Sequence, residues 1–246
     1  MMETSLQWTA AMQSLRRPYR VTAAMLLLIA LVPFYIVLPD LCPADARVAP
    51  ELPLARAVPL VPAWAVVYGA LYGFLILLPI VVVRQEAHVR RTVHAYLTIW
   101  LTAYAVFILY PTVAPRPALV RGSGFAAWGL RVLYDADVPY NCFPSLHVAH
   151  SFVSAFTCGR VHRGVGRFAI ACATLVAVST LFTKQHYVVD VIAGVALALF
   201  AHVVFLRQRD DVPTADRHAA PALALCTAAA IAFGVLAYWL AYRWNR

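Results

Sequence analysis

Apolar residues in this chain gather in long blocks, at about 21–38, 62–83, 93–110, 144–160, 165–183, 187–206 and 220–242. A helix rises 1.5 Å per residue, so roughly 17–25 apolar residues cross a hydrocarbon core ~30 Å thick. Blocks of that length confine the backbone to helix, because lipid satisfies no peptide N–H or C=O from outside. The expected fold is therefore all-α: a polytopic transmembrane helix bundle of about six to seven spans. Composition agrees, with 63% hydrophobic and 13% charged residues over 246 positions. No Gly/Ser-rich or charged linker divides the chain, so residues 1–246 are expected to form one membrane-embedded domain. The block at 144–160 is the weakest as a full crossing, being short and carrying His147, His150 and Ser151.

Net charge is +9, yet the basic residues form short clusters between apolar blocks, without a stripe of arginines and aromatics. That excludes a nucleic-acid partner and points to loop anchoring. Arg16, Arg17 and Arg20 precede the first block, Arg84, Arg90 and Arg91 the third, and Arg160, Arg163 and Arg167 the fifth. Arg207, Arg209 and Arg217 precede the seventh. The clusters alternate, so one membrane side collects them, and the positive-inside rule assigns that side to the cytoplasm. The N-terminus is then cytoplasmic, and the first block is too long for a signal-peptide core and reads as a retained span. Loops 39–61, 111–143 and 184–186 face the periplasmic or extracellular side of the cell membrane. Only Arg243 and Arg246 run against the pattern. The five cysteines include no C-x-x-C pair, which speaks against a zinc or redox motif. Cys42 and Cys142 both fall on the outer side, where a disulfide between them is an open alternative.

Three segments of unusual chemistry land on that outer side. Asn141-Cys142-Phe143-Pro144-Ser145-Leu146-His147 reads as a helix started by Pro144. Its free amides, with the Ser145 hydroxyl, would form an anion site next to His147. An ordinary proline-started helix with an interfacial histidine is the competing reading. In Ser179-Thr180-Leu181-Phe182-Thr183-Lys184-Gln185-His186-Tyr187-Val188-Val189-Asp190, His186 and Asp190 are four apart and share a helix face. A carboxylate on one imidazole nitrogen orients the ring and makes the other nitrogen a better nucleophile. Ala193 and Gly194 would let that helix pack closely. In Tyr110-Pro111-Thr112-Val113-Ala114-Pro115-Arg116-Pro117, Arg116 is held between prolines, and its guanidinium suits two phosphate oxygens. His150 reads as a packed, hydrogen-bonded histidine, with a cavity-lining or proton-relay role as the alternative. A zinc site from His147, His150, His186 and Asp190 is disfavoured by their distribution over separate spans. The stretch 126–134 reads as a short helix lying on the outer surface.

Taken in order, a proline-flanked Arg, Pro-Ser-x-His and Ser-x6-His-x3-Asp resemble the three blocks of the type 2 phosphatidic acid phosphatase superfamily. The Phe-Pro-Ser-Leu-His and Lys-Gln-His-Tyr-x-x-Asp wording looks like the branch containing inositol phosphorylceramide synthases. The resemblance is close over 110–194. It implies a metal-independent lipid phosphatase or phosphotransferase without a cofactor, whose partners are a lipid phosphate substrate and membrane lipids. By that resemblance His186 would attack phosphorus and form a phosphohistidine, and Asp190 would orient it. His147 would protonate the leaving alkoxide and then activate the acceptor. Arg116, Ser145 and Ser179 would hold the phosphate oxygens. Leu109 and Thr180 stand where the phosphatase pattern has Lys and Arg, and Lys184 is a candidate replacement. Two lost cations imply a weaker preference for dianionic monoesters over phosphodiesters. The alternative function is a lipid-binding or transport protein that keeps the bundle with a degraded site.

Overall fold

The computed structural model describes residues 31–38, 47–49, 57–137, 139–208 and 212–244. Eight α-helices stand among them: α1 (Val32–Val37), α2 (Trp64–Val82), α3 (Glu86–Leu109), α4 (Phe125–Ala136), α5 (Leu146–Val161), α6 (Arg163–Phe182), α7 (Val188–Ala201) and α8 (Thr214–Trp244). A π-helical turn, His202–Leu206, continues α7. No strand occurs among the described residues, only isolated bridges of Val48 to Thr112 and Val113 to Tyr140.

The chain is an all-helical membrane bundle. Five helices are long and apolar enough to cross a bilayer: α2, α3, α6, α7 with its π turn, and α8. The expected first span at 21–38 falls mostly outside the described residues. α5, at 16 residues, is shorter than any of these five spans, and its burial explains its composition. It sits between the two halves of the core, giving Ala155 and Cys158 to a cluster with α2, α6 and α8. Leu146, Ala149 and Val153 pack instead with α3 and α7. A helix shielded by protein on both sides can carry polar groups that lipid would penalise. Ser154 donates to the Leu75 carbonyl (2.6 Å), while Thr157 joins Thr92 (2.6 Å) and His88 Nε2 (2.9 Å).

Helix boundaries differ from the apolar blocks in an instructive way. α3 begins at Glu86 and takes in Arg90 and Arg91, which the sequence placed in a loop. α8 begins at Thr214 and takes in Arg217. Arg and Glu are good helix formers, and backbone hydrogen bonding continues past the point where apolar composition stops. The connections are correspondingly tight. His162 alone separates α5 from α6, its imidazole accepting from the Val165 amide. At this hairpin a Cβ on Gly166 would lie 2.3 Å from the Gly159 Cα.

The expected surface helix at 126–134 is α4, with Ala127 and Leu130 buried. Trp128 packs on Tyr238 and Tyr242 of α8, and the Tyr242 hydroxyl donates to the Ser123 carbonyl (2.8 Å). The starts of α2, α5 and α7 and the ends of α3, α6 and α8 thereby meet at one end of the bundle, where the three motif segments lie. Cys142 is a free, buried thiol, its pKa raised by burial; its candidate disulfide partner Cys42 lies outside the described residues.

Candidate active site

The segment 110–117 frames the site by holding the loop before α5. The Thr112 hydroxyl accepts from the amides of Cys142 (2.9 Å) and Phe143 (3.0 Å), and Ala114 N–H donates to the Pro139 carbonyl. Asn141 takes a left-handed φ of 60°, a conformation Asn tolerates better than most residues. Its side-chain amide donates to the Tyr35 carbonyl.

α5 does not start at Pro144. Leu146 is its first residue, and Ser145 is the N-cap, its hydroxyl accepting from the Val148 amide (3.3 Å). The cap side chain thus satisfies the Val148 amide, and of the amides expected to face an anion, that of Ser145 is taken by the Asp190 carbonyl. α7 starts similarly. Tyr187 is its N-cap, and Asp190 Oδ2 accepts from the Tyr187 amide (2.8 Å) as part of a capping box. His186 therefore precedes the helix instead of sharing a face of it. It still reaches Asp190 Oδ2 from Nδ1, at 3.4 Å.

Two backbone contacts lock these helix starts together. The Ser145 amide donates to the Asp190 carbonyl (3.0 Å). A Cβ on Gly194 would sit 2.6 Å from the Ser145 carbonyl oxygen, so only glycine fits there. This docking brings His147 to His186, with Nδ1 to Nε2 at 3.3 Å. An ionised carboxylate only accepts, so His186 donates its Nδ1–H to Asp190 and keeps the lone pair on Nε2. His147 is the donor across the pair. Tyr68 and Tyr72 of α2, with Tyr35 of α1, pack edge-on around His147 at 5.6, 5.0 and 6.2 Å between ring centres.

The expected phosphate ligands are more dispersed. Arg116 directs NH1 to the Asp137 carbonyl and NH2 to its carboxylate (3.1 Å), and lies over the Tyr134 ring. Burial pushes the Tyr134 hydroxyl up to about 12, with Arg116 pulling the other way. The Asp137 carboxylate also accepts from Gln185 Nε2 (2.9 Å) and the Tyr35 hydroxyl (3.0 Å). Ser179 donates to the Val176 carbonyl (2.6 Å) within its own helix. His150 stands apart from the pair, stacked on Tyr96 at 4.5 Å, with Nδ1 lacking the hydrogen bond expected of it.

Lys184 occupies a position whose backbone explains how it stays near His186. The end of α6 is a Schellman turn: Gln185 N–H reaches the Thr180 carbonyl and Lys184 N–H the Leu181 carbonyl. Lys184 is its left-handed residue, at φ 57°. With the helix ended there, Lys184 and His186 line one cavity together with Pro115. That cavity measures about 10 Å³, room for a single water. Glycine suits this φ better than lysine by roughly 1 kcal/mol. Lys184→Gly is therefore expected to raise the melting temperature slightly, measurable by thermal denaturation.

Asp137, Gln185, Thr112 and the three tyrosines were not singled out in the sequence. Tyr68 and Tyr72 carried a signal, since they are two polar-tipped residues at i, i+4 spacing within an apolar block. Asp137 carried none, because its role depends on long-range folding of the 118–140 segment.

The PAP2 superfamily matches residues 43–204, more than half of the chain. A PA-phosphatase related-family protein of Dictyostelium discoideum is 22% identical over 126 residues, covering 47% of this chain and 23% of that protein. The matched region is thus less than a quarter of the relative's length. No solved structure matches. Family and relative support a phosphatase-type function, and the helix starts at 145–147 and 186–190 lie within the matched span. The chain belongs to the PAP2 superfamily.

Proposed function

We propose that this protein is an integral membrane phosphatase or phosphotransferase that acts on the phosphate ester of a lipid through a phosphohistidine at His186. The observation carrying this reading is the chain of contacts from buried Asp190 and His186 to half-buried His147, at 3.4 and 3.3 Å. His186 Nε2 attacks phosphorus while the ester P–O bond breaks, and the departing alkoxide takes the proton from His147. A water or alcohol then gives its proton to His147 and attacks the phosphohistidine, breaking the P–N bond and freeing His186. Arg116, Lys184, Ser145 and Ser179 are the proposed donors to the phosphate oxygens, by positioning and charge neutralisation without a metal. The alternation of arginine clusters supports an active site on the outer face. The Phe143–His147 and Lys184–Asp190 wording supports the inositol phosphorylceramide synthase-like branch.

The two rings stand too close to bracket a substrate. A nucleophile, phosphorus, leaving oxygen and donor in line need on the order of 7 Å between the two nitrogens. Binding must part them, and His147, surrounded by tyrosines instead of hydrogen-bonded to them, is the ring with freedom to turn.

Asp137 favours a diester over a monoester substrate. Its carboxylate rests on Arg116 and Gln185, so a dianion entering beside it meets like charge. Asp137→Asn is expected to raise kcat/KM for phosphatidic acid about tenfold more than for a phosphodiester lipid, one ~1.4 kcal/mol charge–charge interaction. Parallel kinetics on both substrates, with a panel of phospholipids and polyprenyl phosphates, test substrate class and charge preference together. A wild-type enzyme strongly preferring the monoester would overturn the diester reading. Lipid binding without release of any phosphate product would favour the non-catalytic alternative.

A further inference from the structure

We infer that a groove between α2, α4 and α8 holds the hydrocarbon tail of the lipid whose phosphate reaches the histidine pair. This rests on the reading that the substrate is a lipid. The groove measures about 390 Å³ and is walled almost wholly by apolar and small residues. Gly69, Gly129 and Gly234, one from each helix, line it. A Cβ on any of the three would meet nothing within 4 Å.

Glycine inside a helix costs roughly 0.5–1 kcal/mol relative to alanine. In membrane bundles that cost is usually offset by close helix contact, as at Gly166 and Gly194 here. The three groove glycines approach no protein atom, so what they leave room for is not part of the described protein. One turn beyond Gly69, a Cβ on Gly73 would come within 3.2 Å of Ile231. There α2 and α8 close together, giving the groove a floor.

Position identifies the occupant. Two of the three helices also form the candidate active site. On α2, Tyr68 and Tyr72 face His147 while their neighbours Gly69 and Ala70 face the groove. On α4, Leu133 and Ala136 line the groove, and Tyr134 and Asp137 contact Arg116. A tail in the groove therefore lies against the same two elements as its own headgroup. Leu31, just before α1, sits on α3, its carbonyl accepting from the Tyr104 hydroxyl, and no α3 residue lines the groove.

The test is to replace Gly69, Gly129 and Gly234 singly by leucine, with Ala196→Leu on the exposed face of α7 as the control. Leucine propagates a helix better than glycine, and the open space accepts it. Each protein is assayed on dihexanoyl and dioleoyl phosphatidic acid. Groove variants should lose about tenfold or more in kcat/KM on the dioleoyl substrate, the effect of a few misplaced methylenes. They should keep the dihexanoyl rate within about twofold, as A196L should keep both. Equal rates on the two substrates, or parallel losses on both, overturn the groove. Crosslinking with a dioleoyl phosphatidic acid analogue bearing a diazirine on its tail tests the groove without turnover. Label on α2, α4 and α8 that G234L reduces supports the inference; label elsewhere, or unchanged in G234L, overturns it. Absence of phosphate release from wild type on every substrate would count against the enzymatic reading alone, with the crosslinking arm still deciding the groove.

Discussion

His186→Ala is expected to abolish phosphate release, with expression close to wild type and only a modest drop in melting temperature. The imidazole is the proposed point of attachment of phosphorus, so its removal leaves no covalent route. Rate losses of 10⁴-fold or more are typical when an attacking group is deleted. The ring is buried, so its loss leaves a small cavity, but the Tyr187–Asp190 cap of α7 stays intact. Asp190→Asn should behave differently. Asp190 Oδ2 holds both the His186 ring and the Tyr187 amide, so the amide variant weakens the α7 cap as well as misorienting the imidazole. D190N should melt lower than H186A, with both inactive. If H186A keeps substantial activity, the nucleophile has been misassigned.

The second large effect is steric and separates stability from catalysis. Gly166→Ala puts a methyl 2.3 Å from the Gly159 Cα, backbone against backbone in the tightest hairpin of the bundle. No side chain can move aside, so α5 and α6 must separate, and overpacking of this kind costs typically 1–3 kcal/mol or more. The expected result is poor expression or a markedly lowered melting temperature. Gly194→Ala drives its methyl into the Ser145 carbonyl oxygen at 2.6 Å. The start of α5 must shift against α7, taking His147 out of line with His186. A displacement near 1 Å at reacting groups costs about a hundredfold in rate. Gly194→Ala should therefore lose activity out of proportion to stability, and Gly166→Ala the reverse. Melting curves set beside kcat for both variants check this.

Much of this architecture is legible in the apolar blocks, because lipid leaves the backbone few alternatives. The block at 187–206 corresponds to α7 with its π turn to within a residue or two. The starts of α3 and α8 are not legible in the same way, since Arg90, Arg91 and Arg217 mark the end of apolar surface and not the end of the helix. Motif spacing brings His147, His186 and Asp190 together, but for a local reason different from the expected one. The four-residue step from His186 to Asp190 works across an N-cap, where a carboxylate at the third helical position reaches back to the preceding chain. Pro144 suggests a first helical residue, yet Ser145 competes successfully as the cap. Arg116 shows what motif reading omits. Its guanidinium is readable as a phosphate ligand, whereas its pairing with Asp137 arises from folding of the 118–140 segment. Nothing in the spacing of Asp137 announces a carboxylate set on Arg116, Gln185 and Tyr35 together.

The most direct measurement is to trap the covalent intermediate. Purified protein is incubated with lipid carrying ³²P at the ester phosphate, quenched in alkali, which preserves phosphohistidine, and digested. The account predicts label on the peptide containing His186, lost on acid treatment, absent in H186A, and accumulating in a His147 variant that slows release. Label on another residue, or turnover with no labelled protein in any variant, would contradict it.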